Sequence, residues 1–265
     1  MKKLIGCTLG VGLWAAAAFA QDVGSLLQEA DRYRIGSEHL EVLTEVLLYK
    51  ADGSLDKARR YKVFVQPERR SLVLMQSPAE RGQKVLMLGD DFWLLMPDSQ
   101  RPLRITPMQK LLGDASTGDI ANLRWAQDYQ GELVGAAMCQ PPLAASAGES
   151  GATGAAPASA SHPCLHLRLN ATRKGVTYQR IELWLGRQRH EPLRADLYVL
   201  SDKLAKQAQF AFDQSGTPTQ VTEMRLSDQL AGQKITLVRY LARTVRQVPE
   251  QWLNPMFLAR NPPLE

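Results

Sequence analysis

Four residues of this 265-residue chain combine side-chain types and spacing that could do chemistry: Cys139, His162, Cys164 and His166. Thiolate and imidazole together suit zinc or copper. In an extended strand, His162-x-Cys164-x-His166 would present three side chains on one side. The competing chemistry is a disulfide between Cys139 and Cys164, the two cysteines left once Cys7 is set aside. An even pair in an oxidising compartment favours the bridge, and Cys139 lacks a companion ligand close in sequence. Such a closure would contribute about 3 kcal/mol. His39, His166 and His190 are the candidates for general-base work, yet each reads more simply as a strand or turn residue. The chain has no Gly-x-Ser-x-Gly elbow, phosphate loop, paired-histidine zinc motif or dinucleotide fingerprint. Asp90-Asp91 reads as a hairpin turn, and Glu41 with Glu45 as a solvated strand face. The expectation is a protein that is not an enzyme and uses no metal or cofactor.

The oxidising compartment is itself inferred from residues 1–20. Lys2-Lys3 forms a positive start, an apolar stretch runs from Leu4 through Ala18, and Ala18-Phe19-Ala20 supplies a small-x-small cleavage site. Leu4-Ile5-Gly6-Cys7 spells a rival lipobox, but its apolar region follows the cysteine instead of preceding it. A cleavable signal peptide over residues 1–20 and a periplasmic mature chain are expected. Losing Lys2 and Lys3 takes the formal charge from +5 to +3, which gives little support to a nucleic-acid partner. No later apolar run reaches the roughly 20 residues that cross a bilayer, so the mature chain is expected not to span a membrane.

The elements that would position these residues are mostly strands. Leu26, Leu27, Ala30 and Tyr33 fall on one helical face, with Asp22 or Ser25 as N-cap, so a short helix opens the fold. Period-two alternation follows from Leu40 to Leu48. It recurs at 61–65, 71–75, 84–88 and 92–96, with Gly89-Asp90-Asp91 as a hairpin connection. A short strand at 103–105 precedes a mixed stretch, 108–125, read as one or two short helices or an ordered loop. Strand rhythm resumes at Tyr129 and again at Leu165, then continues to Leu241. Between the two, 19 of the 24 residues from Gln140 to Pro163 are Ala, Gly, Ser or Pro, a composition that cannot pack a core. About eleven to twelve strands favour one mainly β domain over residues 21–248. It would be a single large antiparallel sheet curled toward a barrel, with a flexible insertion at 140–163 and a tail at 249–265 laid on the body.

Strands 84–88 and 92–96 carry large residues on both alternating faces. Leu86, Leu88, Trp93 and Leu95 are on one, and Val85, Met87, Leu94 and Met96 on the other. A sheet with one face in water would not need this. Either the outer face is covered, or the concave face lines an apolar cavity for acyl chains, which methionine suits as an adaptable wall.

Several runs carry a family resemblance. They are Ser77-Pro78-Ala79-Glu80-Arg81-Gly82-Gln83-Lys84-Val85-Leu86, Asp91-Phe92-Trp93-Leu94-Leu95-Met96-Pro97, Arg104-Ile105-Thr106 and Leu112-Gly113-Asp114-Ala115-Ser116-Thr117-Gly118-Asp119. Gly131 with Gly135, Cys164-Leu165-His166-Leu167, Tyr178, Leu183-Trp184, Pro192-Leu193-Arg194-Ala195 and Lys206 add to them. Together, over most of residues 25–245, the chain resembles the outer-membrane lipoprotein-sorting family of the LolA-like superfamily. The resemblance departs at Ala115–Asp119, where the family is usually aromatic-rich, and at the 140–163 insertion. It implies an incomplete antiparallel barrel of about eleven strands, closed by lid helices near 22–33 and 107–125. It also implies a cavity that carries lipid or lipoprotein acyl chains, with an inner-membrane lipid transporter as partner. On that expectation Leu74, Leu86, Leu88, Trp93, Leu95, Met108, Leu112 and Leu183 are the lipid-binding candidates. Arg101 and Arg104 are the candidates for meeting an anionic headgroup or a partner. The second reading is a non-catalytic envelope scaffold or transporter accessory with a filled interior.

Overall fold

The computed structural model describes residues 22–121, 124–143, 161–214, 217–227 and 234–264. The expected signal peptide lies outside the described residues, as does most of the 140–163 insertion. Helix α1 (Val23–Arg34) begins at Asp22, whose carboxylate accepts from the amides of Gly24 and Ser25. Thirteen strands then form one antiparallel sheet. Its first half is β1 (Leu40–Tyr49), β2 (Leu55–Gln66), β3 (Arg70–Met75), β4 (Lys84–Leu88), β5 (Asp91–Leu95) and β6 (Leu103–Ile105). A small separate hairpin, β7 (Lys110–Leu112) with β8 (Ala115–Ser116), leads into helix α2 (Thr117–Ala121). The second half is β9 (Tyr129–Cys139), β10 (His162–Ala171), β11 (Arg180–Gly186), β12 (Pro192–Tyr198), β13 (Leu204–Phe212), β14 (Val221–Ser227) and β15 (Ile235–Val245).

Within the large sheet, all hydrogen-bonded pairs but one join strands that follow each other in sequence. In the exception β1 pairs with β15, from Leu40 opposite Val245 to Tyr49 opposite Ile235, which joins the two halves at their centre. The sheet order runs from β6 through β1 and β15 to β9, so β6 and β9 are open edges and no barrel closes. The strand count exceeds the expected eleven or twelve.

What brings the two ends toward each other is a charged cluster at the turns. Glu68 and Arg69, both at positive φ near 57°, make the tight β2–β3 turn. From that position the Arg69 guanidinium reaches Asp128 at 2.7 Å and Asp90 at 2.5 Å, and Arg173 approaches the same two carboxylates. The turn after β10 also touches the turn after β4: a Cβ on Gly175 would lie 2.2 Å from Asp90 Cβ.

Two large apolar bodies flank the sheet, besides a small cluster of Leu47, Tyr49 and Leu237. The main one fills the concave side and joins α1 and α2 to both halves. The second lies outside β2–β5, where a single 3-10 turn at Glu250–Leu253 and helix α3 (Pro255–Leu258) set Trp252, Leu253 and Leu258 against Phe64, Leu72, Leu86 and Leu95. Arg70 binds Glu250 at 2.7 Å, and Lys84 Nζ donates to Asn261 Oδ1 at 2.5 Å, pinning both ends of this strap.

Candidate functional site

The concave wall is continuous and apolar across both halves. Val63, Val73, Val85 and Met87 line it in the first half, and Leu167, Leu183, Ala195, Phe210 and Met224 in the second, all buried. Alternation along each strand puts these side chains inward, because successive residues point to opposite faces. Among the described residues, side chains from outside the sheet pack against this wall. They include Leu26, Leu27 and Ala30 from α1, with Ile120, Ala121 and Trp125 from the α2 segment. A cavity between the α2 segment and β11–β14 has a volume of about 40 Å³. Of the two readings of the apolar surplus, a covered outer face is what β2–β5 show, and among the described residues the inner face packs on a plug of the protein's own side chains from α1 and the α2 segment.

Polar fasteners hold the plug. Asp31, on the buried side of α1, accepts from the amides of Trp125 and Ala126, each at 2.9 Å. The Arg34 guanidinium lies 3.8 Å from the centre of the Trp125 ring. Burial pushes the Asp31 carboxyl up to about 6, against the opposing pull of Arg34 and the two amides. The second fastener is Asp119 on α2. Its carboxylate meets Lys206 Nζ at 2.8 Å, Tyr178 OH at 2.6 Å, and the Ser116 amide and hydroxyl at 2.8 and 2.7 Å. Burial alone would raise this acid. The Lys206 ammonium and the hydrogen bonds outweigh it and hold Asp119 below the usual carboxylate range. Gly118 makes the close approach possible, since a Cβ there would stand 1.9 Å from Thr177 Oγ1.

The fold is shared with solved proteins. A LolA superfamily protein from Nitrosomonas europaea is 25% identical with a TM-score of 0.73, covering 89% of this chain and 98% of its own. The chain belongs to the LolA-like superfamily. A family model described in the words "Uncharacterized protein" matches residues 67–260. Two further structures share the fold. A DUF1329 family protein from Desulfovibrio piger is 20% identical with a TM-score of 0.63, covering 87% and 95% of the two chains. A Vibrio parahaemolyticus protein, whose description proposes an outer membrane lipoprotein-sorting domain, is 17% identical with a TM-score of 0.61, covering 89% and 98%. No curated protein matches the sequence.

The LolA-like sheet divides the eight lipid-binding candidates. Met108, Leu112 and Leu183 belong to the concave body. Leu74, Leu86, Leu88, Trp93 and Leu95 do not: they lie on the outer face among the residues packed with the C-terminal strap. Their inward neighbours are Val73, Met75, Val85, Met87, Phe92 and Leu94. Where both faces are apolar, alternation identifies two faces without saying which is inside. Arg104, on the edge strand β6, stacks over Trp93 at 4.7 Å and pairs with Asp91, while Arg101 is exposed in the preceding turn.

Cys139 and Cys164 are joined as a disulfide with their Cα atoms 6.0 Å apart, which removes both thiolates as metal ligands. Among the described residues, no group of three or more His, Cys, Asp and Glu could hold a metal ion, and no helix is long and apolar enough to cross a membrane. The histidines are dispersed. His39 meets Gln66, His166 stacks on Trp184 and binds Glu182 at 2.7 Å, and His190 meets Glu29 at 2.5 Å. Sequence reasoning did not single out Asp31 or the pairing of Asp119 with Lys206. The one available signal was an acid placed directly after Leu26, Leu27 and Ala30 on the apolar side of α1.

Proposed function

We propose that this protein is a periplasmic, non-catalytic carrier of lipid or lipoprotein acyl chains, exported by a cleaved signal peptide and serving an inner-membrane lipid transporter. The observation that carries the reading is the origin of the interior filling. The sheet supplies one uninterrupted apolar wall, and separable segments, α1 and the α2 region, occupy it. An acyl chain taking their place exchanges apolar contacts for apolar contacts. Each buried methylene contributes about 0.8 kcal/mol, offsetting the loss of Leu26, Leu27, Ile120 and Trp125 from the wall. The closed state is then set by the polar fasteners Asp31–Trp125 and Asp119–Lys206, and loading consists of undoing them.

The plugged interior also favours the second reading, an envelope scaffold whose sheet is permanently filled. One experiment separates them: lipid extraction and native mass spectrometry of the protein from its own periplasm, followed by titration with a fluorescent fatty acid. The carrier reading expects co-purifying lipid, and probe uptake that rises in Lys206→Met, where a fastener is cut. Absence of lipid together with no uptake by either protein overturns it in favour of the scaffold.

A further inference from the structure

The two open edges of the sheet are built differently. Edge strand β6 is three residues long, follows Pro102 and carries Arg104, the features that blunt an edge against pairing. The other edge, β9, is eleven residues long with no proline and no lysine. Its single charge, Glu132, is turned to Arg168 on the neighbouring strand at 3.5 Å. Leu133, Val134 and Met138 are 38%, 47% and 62% exposed. Among the described residues nothing pairs with the outer side of this strand.

Its register against β10 contains one irregularity. Leu133 pairs with Leu167 and Gly135 with His166, so Val134 is an extra residue, and Gly135 takes a φ of 153° that side chains rarely adopt. This bulge changes the symmetry of the face pattern. Gly131 and Leu133 before it, and Ala136 and Met138 after it, are opposite inward-facing or strand-end positions of β10, whereas Glu132 and Ala137 face outward. A regular strand cannot pair antiparallel with itself about a point between two residues, because partners would face opposite ways. With the bulge at that point it can. Gly131 then stands opposite Met138, Leu133 opposite Ala136, and Glu132 opposite Ala137, which is small against large on each inward pair with no like charges facing.

We propose that two copies of this chain join edge to edge, β9 antiparallel to β9 of the second copy, about a two-fold axis at Val134 and Gly135. The contact is isologous, as closed dimers require. It satisfies the free backbone groups of both edges and covers the two Leu133–Met138 strips. It uses residues 130–139 from each copy, fewer than the 20–30 a side of a standard interface, so association is concentration-dependent. The inference is independent of the carrier reading.

The test is sedimentation of the full chain from about 1 μM to about 1 mM, a range matched to modest affinities. A monomer–dimer equilibrium is expected, weakened at least about tenfold by Leu133→Lys, with circular dichroism confirming that the variant folds. A monomer at every concentration, or a dimer indifferent to Leu133→Lys, overturns the proposal. Register is read separately by mild oxidation. Val134→Cys, beside the axis, is expected to cross-link into covalent dimers, and Gln130→Cys, whose partner would be Cys139, is not. Equal cross-linking of the two also overturns it.

Discussion

The two halves of the sheet face water differently. From β1 to β6 the concave side packs on the plug and, over β2–β5, the outer side packs beneath Trp252, Leu253 and Leu258, so both faces are apolar. From β9 to β14 the concave side is equally apolar, but the outer side is a ladder of charge. Glu182 binds Arg168, Arg180 and His166, Arg180 extends to Asp202, and Arg194 chelates Asp196. One sheet therefore contains a two-sided and a one-sided region. An apolar surplus along a strand can report a cover on the outside as readily as a pocket on the inside.

The largest effect separating the halves is expected from a buried charge. Leu86→Glu, fully enclosed beneath the strap, should cost about 5 kcal/mol or prevent folding. Gln209→Glu, on the outward side of β13, should change the urea unfolding free energy by less than about 0.5 kcal/mol. Similar losses in the two variants would break the comparison. Next, Trp252→Ala should cost about 3–5 kcal/mol, because it removes the ring packed edge-on against Phe64. A loss under about 1 kcal/mol would mean that the strap is not what stabilises the outer face. Reducing Cys139–Cys164 should remove about 3 kcal/mol, seen as a lowered melting temperature with the strap unaffected in limited proteolysis.

The smallest effect belongs to the ladder: Glu182→Gln should cost under about 1 kcal/mol at low salt and less at high salt. Burial raises the Glu182 carboxyl, but hydrogen bonds from Arg168 and His166 outweigh it and hold the group below its usual value. A lowered carboxylate contributes stability above the ordinary Glu range and loses it as pH falls through the lowered value. The Gln variant should accordingly flatten the acid limb of the stability profile. Asp31 has the opposite sign. Raised to about 6, its charged form is disfavoured in the fold, and its share of stability declines as pH rises from 3.8 toward that value.

The one-sided half was the more legible in sequence. Leu165, Leu167 and Leu169 alternate with His166 and Arg168, and only one phase of that pattern can be buried. In the two-sided half, Val85-Leu86-Met87-Leu88 gives equal weight to both phases, and the strap that decides between them comes from residues near 252, far along the chain. Helix α1 could be read from its apolar spacing and its Asp22 cap. Its role as filling could not, because the contact of Asp31 with Trp125 spans 94 positions and leaves no local mark. The family resemblance supplied the open antiparallel architecture, while the state of its interior depended on side chains that meet only when the sheet curls.

The cystine on the outer face ties β9 to β10 at the points where the chain leaves one and enters the other. A covalent clasp there makes the alignment of those two strands indifferent to how much polypeptide is strung between them. Peptide could be added or trimmed in that span, for a tag or a label, without disturbing the wall behind it.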